Sequence, residues 1–307
     1  MSDSYEPILD RHFATQAVSN HFEDAVSLIK EFVNYGTFLI PRAFRSSPRD
    51  IKAVCLIFVQ LHQFLTHLDG FALLLAAGNC LSSTLQIRSL LEISHSMEWI
   101  LSADTDTKVN YLYTYNLRKR KHWNAALTPG TPEAARHADA VAMVSLTPIQ
   151  MKEISDQTHN IDEILSRSPF DVINAKFEHH YSPNGYDKPW HEMYDGSSIR
   201  RIAKNLNREK EYSYIYSPYS GVTHASDMWK SLICNDQHIE VNPIREPGNI
   251  PHVVPIAGTF TLRVYRMILQ EYRAGEVENF ARKYLSDWRE RFMKRYRVEL
   301  FPRFTTI

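Results

Sequence analysis

AVCLIFVQLHQFLTHLDGFALLLAA, residues 53–77, is the longest apolar run in the chain. A bilayer-spanning helix needs roughly 20 apolar residues, so length alone permits a membrane span. Gln60, His62, Gln63, His67 and Asp69 interrupt the run and argue against one. The segment therefore reads as the central, most buried helix of an all-α protein. Asp50 is placed to cap its start, and Gly78-Asn79 to end it. His62, Thr66 and Asp69 share one stripe of this rod and are expected to form a buried hydrogen-bonded network that fixes helix register.

Helical periodicity extends outward on both sides. Gln16 to Tyr35 is amphipathic, with Phe22, Val26, Ile29 and Val33 on one stripe. Pro41 and Pro48 are expected to bracket a loop. Further helices are expected over 84–101, 106–126 and from Thr147-Pro148 to about Arg167, with a short one opening at Thr131-Pro132-Glu133. Ser197 or Ser198 caps a helix reaching about Asn207. Residues 209–233 read as helical in parts, interrupted at Pro218 and Gly221. Residues 238–255 carry three prolines and a glycine, and read as a Pro-rich loop or short hairpin. Two terminal helices follow, 258–274 and 276–296. The expected organisation is a helical bundle over 1–235, a connecting loop over 236–256, and a helix pair over 257–307 packed on the bundle.

Composition narrows the function. Acidic and basic side chains balance at 35 each, so no whole-protein field draws in nucleic acid or membrane. Cys55, Cys80 and Cys234 are odd in number and lack metal-type spacing, which fits a reducing, cytoplasmic compartment. The start, Met-Ser-Asp-Ser-Tyr-Glu-Pro, is acidic and polar, unlike a signal peptide.

Chemistry is suggested in two places. Arg88, Glu92, His95 and Trp99 sit at i, i+4, i+7 and i+11 and cluster within roughly 60° of one helix face. The ordinary alternative is a salt-bridged solvent face; the sharper reading is a polar stripe turned inward. The second place is Trp190 to Ser226, where Tyr212, Tyr219, Ser220 and His224 concentrate aromatics, hydroxyls and a histidine. Glu92-x-x-His95 is half of a carboxylate-bridged di-iron signature, but the chain has no second Glu-x-x-His, so no metal or other cofactor is expected. No nucleophile elbow or phosphate loop occurs. The basic run Arg118-Lys119-Arg120-Lys121-His122 with Trp123 suits a phosphate backbone, but with acidic residues balancing the total an ordinary solvated helix face is the favoured reading.

Arg88-Ser89-Leu90-Leu91-Glu92, then Trp190, Ser198-Ile199-Arg200, Tyr212, Tyr219-Ser220 and His224, form an ordered set. In that order the chain resembles a widespread bacterial domain family of unknown function. Its members share an Arg-x-x-x-Glu helix and a downstream Trp…Tyr…Tyr-x-x-Ser-x-x-x-His segment, here over roughly residues 50–235. Either Tyr216-Ser217 or Tyr219-Ser220 matches the family pair. The resemblance implies an all-helical bacterial cytoplasmic protein and brings no activity with it. Arg88-x6-His95 is also similar in spacing to the helical ribonucleases of the higher eukaryote and prokaryote nucleotide-binding group. That likeness implies a metal-independent pair acting in a homodimer, with arginine stabilising phosphate charge and histidine moving a proton.

Two functions follow as expectations. One is a polar pocket for a small anionic or nucleotide-like ligand, or a partner, in stress or phage defence. Arg88, His95 and His224 would be its reactive groups, and Glu92, Trp190, Tyr212, Tyr219 and Ser220 its binding groups. The alternative is a ribonuclease acting through Arg88 and His95.

Overall fold

Helix formation follows local signals that the chain writes at each end. Asp10 caps Arg11–Ala17 (α1), its carboxylate accepting from the Phe13 amide at 2.8 Å. Glu23–Ser46 (α2) opens with Glu23 and Asp24 and closes with Arg45, the order the helix dipole favours. It runs straight through Pro41, so the connection is shorter than the bracketing prolines suggest: an interior proline removes one backbone bond, which the surrounding packing offsets. Asp50 caps Ile51–Ala76 (α3), accepting from the Ala53 amide at 2.8 Å. Gly78, at φ +69°, ends it, with the Gly78 and Asn79 amides bonded back to Leu75 and Leu74. Cys80–Ser102 (α4) follows at once.

The computed structural model describes residues 8–181, 185–223, 232–234, 239–296 and 305–306. The chain is an all-α helical bundle that divides into two compact units, residues 1–99 with 202–307 and residues 100–201.

In the first unit α2 packs against α3 and against Ile250–Tyr272 (α11). Leu56, Ile57, Leu61, Phe64, Leu68, Phe71 and Leu75 of α3 are fully buried. By length and composition α3 could cross a membrane; half of its apolar window is buried here, and its exposed side carries His62, Gln63, Thr66 and Asp69. The expected buried network of His62, Thr66 and Asp69 is therefore corrected to a solvent-facing stripe. Core packing consumed the apolar face, and water satisfies these groups at no desolvation cost. Polar links from α3 run instead to α4: Gln60 Nε2 to Ser96 Oγ at 2.7 Å and His67 Nδ1 to Gln86 Oε1 at 2.7 Å.

The close approach of three helices depends on Gly36. A Cβ there would collide with Leu65 and with the hydroxyl of Tyr265, which is fully buried and donates to the Phe32 carbonyl at 2.5 Å. The terminal helix over 277–293 (α12) docks beside them through Trp288. Its ring meets Phe32 at 4.9 Å and Tyr35 at 5.4 Å, both edge-to-face, and its Nε1 donates to Glu31 at 3.2 Å.

The second unit gathers around Thr105–Ala126 (α5). Pro148–Leu165 (α6), Phe170–His179 (α7) and Trp190–Asp195 (α8) pack against it. Thr147 and Gln150 form the capping box that starts α6. Ile199–Asn205 (α9) begins after Ser198, whose hydroxyl accepts from the Arg201 amide at 3.2 Å.

Two expected interruptions differ. Residues 209–223 (α10) are helical through both Pro218 and Gly221. One strand, Ile239–Val241 (β2), falls at the start of the Pro-rich segment; it pairs antiparallel with Leu232–Cys234 (β1), before the segment, and with Thr305–Thr306 (β3), after it. Most of 238–255 is not a hairpin. Pro247–Asn249 is a 3-10 turn and α11 begins at Ile250, because prolines are tolerated in a first helical turn, where an amide donor has no partner anyway.

Leu68→Ala is expected to destabilise the protein by about 2–5 kcal/mol through the cavity it leaves, and Gly36→Ala by about 1–3 kcal/mol through overpacking. Urea unfolding followed by circular dichroism measures both; an unchanged midpoint for either would contradict the placement of α3.

Candidate functional site

The inward stripe of α4 lies under the segment α10, both in the first unit. Arg88 pairs with Glu92 one turn on, at 3.0 Å. Its Nη2 also donates to the Tyr216 hydroxyl at 3.0 Å, and its guanidinium sits 4.8 Å from the Tyr216 ring centre. Tyr212 stacks on Tyr216 with centroids 4.9 Å apart and planes 19° from parallel. Tyr212–Tyr216 is wound as a wider π turn, a local form common where side chains must be re-aimed.

One turn further along α4, His95 is almost completely buried, 1% exposed, and its Nε2 lies 2.9 Å from Glu211 Oε2. An ionised carboxylate only accepts, so Nε2 carries the proton. Nδ1 is buried with no hydrogen-bond partner among the described residues. Glu211 is also gripped by Arg263 of α11, Nη1 to Oε2 at 2.9 Å and Nη2 to Oε1. Arg208 adds a third tie, bonding Glu98 at 3.0 Å and approaching Glu211 at 3.7 Å. Burial pushes the Glu211 carboxyl up, but hydrogen bonds from His95 and Arg263 and the Arg263 charge outweigh it and hold the pKa at about 2.

Beside this network opens a cavity of about 530 Å³. Arg208, Arg263 and Arg266 line one side, and Leu262, Phe280 and Tyr284 are among the residues of the apolar remainder. Arg266 is exposed and has no carboxylate partner among the described residues.

The structure thus brings Arg88, Glu92 and Tyr212 together around Tyr216, and places His95 on Glu211. Tyr219 and Ser220 are half-buried on the same segment, and burial raises the Tyr219 phenol above its ordinary value. Trp190 is buried in the second unit. His224 lies outside the described residues. Sequence reasoning missed Glu98, Arg208, Glu211, Arg263 and Arg266. One signal was readable: a buried histidine needs a partner, and Glu211 stands immediately before Tyr212. Arg263 and Arg266 carried no such mark, since a basic residue on an amphipathic helix is ordinary.

The basic run on α5 also reads differently in three dimensions. Arg118 is 4% exposed and bonds Asp187 through Nε at 2.9 Å and Nη2 at 3.0 Å, with Asn174 at 2.6 Å. It is a structural core arginine rather than part of a solvated face.

Because Glu211 titrates from an ordinary 4.5 down to about 2, its contribution to stability is complete above pH 4.5 and is lost as pH falls toward 2. Glu211→Gln is expected to cost about 1–3 kcal/mol near neutral pH and to flatten the stability–pH curve between those limits. Denaturant titrations from pH 2 to 7 check this; an unaltered slope would show that the carboxylate is not held by the arginine.

No curated protein and no solved structure matches the chain. One family model does, over residues 55–239, which is more than half the chain. The matched region begins inside α3 and contains the polar stripe of α4 and the segment that covers it. The chain belongs to the family of unknown function DUF5677.

Proposed function

We propose that the protein is a binding module for a small anionic ligand with an apolar body, taken up in the cavity beside Glu211. The observation that carries this reading is the charge count at the cavity wall. Arg208 and Arg263 are matched by Glu98 and Glu211, while Arg266 has no carboxylate partner among the described residues. A cavity of about 530 Å³ falls within the usual ~300–1,000 Å³ of ligand pockets, mostly apolar with a few convergent polar groups. The stripe from Arg88 to His95 supports the wall from behind: His95 and Arg263 fix Glu211, and Glu211 in turn orients Arg263 toward the cavity.

The ribonuclease reading has less support. A general base must reach the proton it takes, and His95 is almost fully buried with Nε2 committed to Glu211. Arg88 is engaged by Glu92 and Tyr216, which compete with phosphate for its donors. A bacterial cytoplasmic setting in stress or defence, and a homodimer, belong to the same proposal and rest on the resemblances alone.

Titration with the anionic apolar probe 8-anilinonaphthalene-1-sulfonate tests it. Arg266→Ala is expected to weaken binding about tenfold, the scale of one charge-assisted contact at roughly 1.5–3 kcal/mol, with the melting temperature unchanged. Equal affinity in the variant and the parent would remove the cavity from consideration.

A further inference from the structure

A second cleft, of about 240 Å³, lies entirely within the second unit, between α5 and the segment around Asp187. Its floor is rigid. Asp187 is locked by Arg118, and His122 stacks on Tyr181 with centroids 4.7 Å apart and planes 11° from parallel. Burial raises the Asp187 carboxyl, but hydrogen bonds from His122 and Arg118 and the Arg118 charge hold it below its ordinary value, so the floor acid is already neutralised by its own partners.

The rim is different. Lys119 sits over the Tyr115 ring at 5.4 Å and pairs with no carboxylate among the described residues. Its neighbours in the basic run are engaged: Arg120 with Gln157 and Lys121 with Asp162. Among the described residues Arg136 has one carboxylate, Glu133, at 3.9 Å and itself in the cleft lining. Gly185, at φ +85°, closes the rim opposite, and a Cβ there would press on the Arg136 guanidinium, so the glycine admits that side chain to the cleft. Two large rings stand open beside these cations: Trp123 is 61% exposed and Tyr186 59%. An indole left mostly in water beside an unmatched ammonium has a flat face free for stacking.

We propose that this cleft binds a mononucleotide, its phosphate on Lys119 and Arg136 and its base on the Trp123 face. The size favours one nucleotide over a strand, since about 240 Å³ is slightly below the usual range for ligand pockets. The floor supplies shape rather than charge. The site is independent of the cavity beside Glu211, in a different unit.

Isothermal titration of the full chain with AMP, GMP, CMP and UMP tests the assignment, with inorganic phosphate and adenosine as separate arms. Saturable binding of at least one mononucleotide is expected, at least tenfold tighter than phosphate or adenosine alone. Trp123→Ala and Lys119→Ala should each weaken it about tenfold. Both side chains are exposed, so far-UV circular dichroism and melting temperature should match the parent. Absence of mononucleotide binding would overturn the proposal. So would binding that both variants retain, or binding confined to a single-stranded oligonucleotide. Loss of affinity in Arg266→Ala with Trp123→Ala unaffected would assign the nucleotide to the first unit and overturn it equally.

Discussion

A single carboxylate, Glu211, is the hinge on which the first unit's polar interior turns. It accepts from a buried histidine on α4 and from an arginine on α11, elements far apart in sequence. Each of those donors would be costly alone: an unpaired buried arginine or histidine loses hydration with nothing in return. The shared acceptor lets α10 lie across α4, and the stacked Tyr212 and Tyr216 extend that contact to Arg88. Charges that look like a liability in an apolar bundle thereby hold three helices together.

The two units handle buried charge in the same way. In each, an arginine is matched by a carboxylate, the partly buried Arg263 by Glu211 and the buried Arg118 by Asp187. In each, further cations stand at the rim of a cavity with less to balance them. Structural pairs inside and less balanced cations at the rim are how a chain of zero net charge can still present local anion sites.

The helices were legible because their signals are local. Asp50, Gly78, Thr147 and Ser198 act within a few residues, and a period of 3.6 is visible along any amphipathic stretch. The Arg88–Glu92 pair was legible too, since Glu92 stands one turn away. What escaped was nonlocal. Nothing near His62 or Asp69 says which side of α3 meets water, because that depends on α2 and α11. Nothing near Arg118 announces Asp187. Pro251 and Pro255 were misread for a different reason: Pro251 falls in the first helical turn, where proline is suited, and Pro255 lies in the helix interior, where the packing of the whole helix offsets the lost backbone bond.

The apolar character of α3 has a consequence for synthesis. As the chain emerges from the ribosome, α2 precedes α3 and can cover one side of it at once. α4 follows directly and links to α3, but a further cover, α11, is translated only after the whole second unit has been made. During that interval a segment with the composition of a membrane span is only partly shielded. Apolar surface left open in that interval is prone to aggregation. His62, Gln63, Thr66 and Asp69, exposed in the finished fold, give the waiting helix one face that water can solvate.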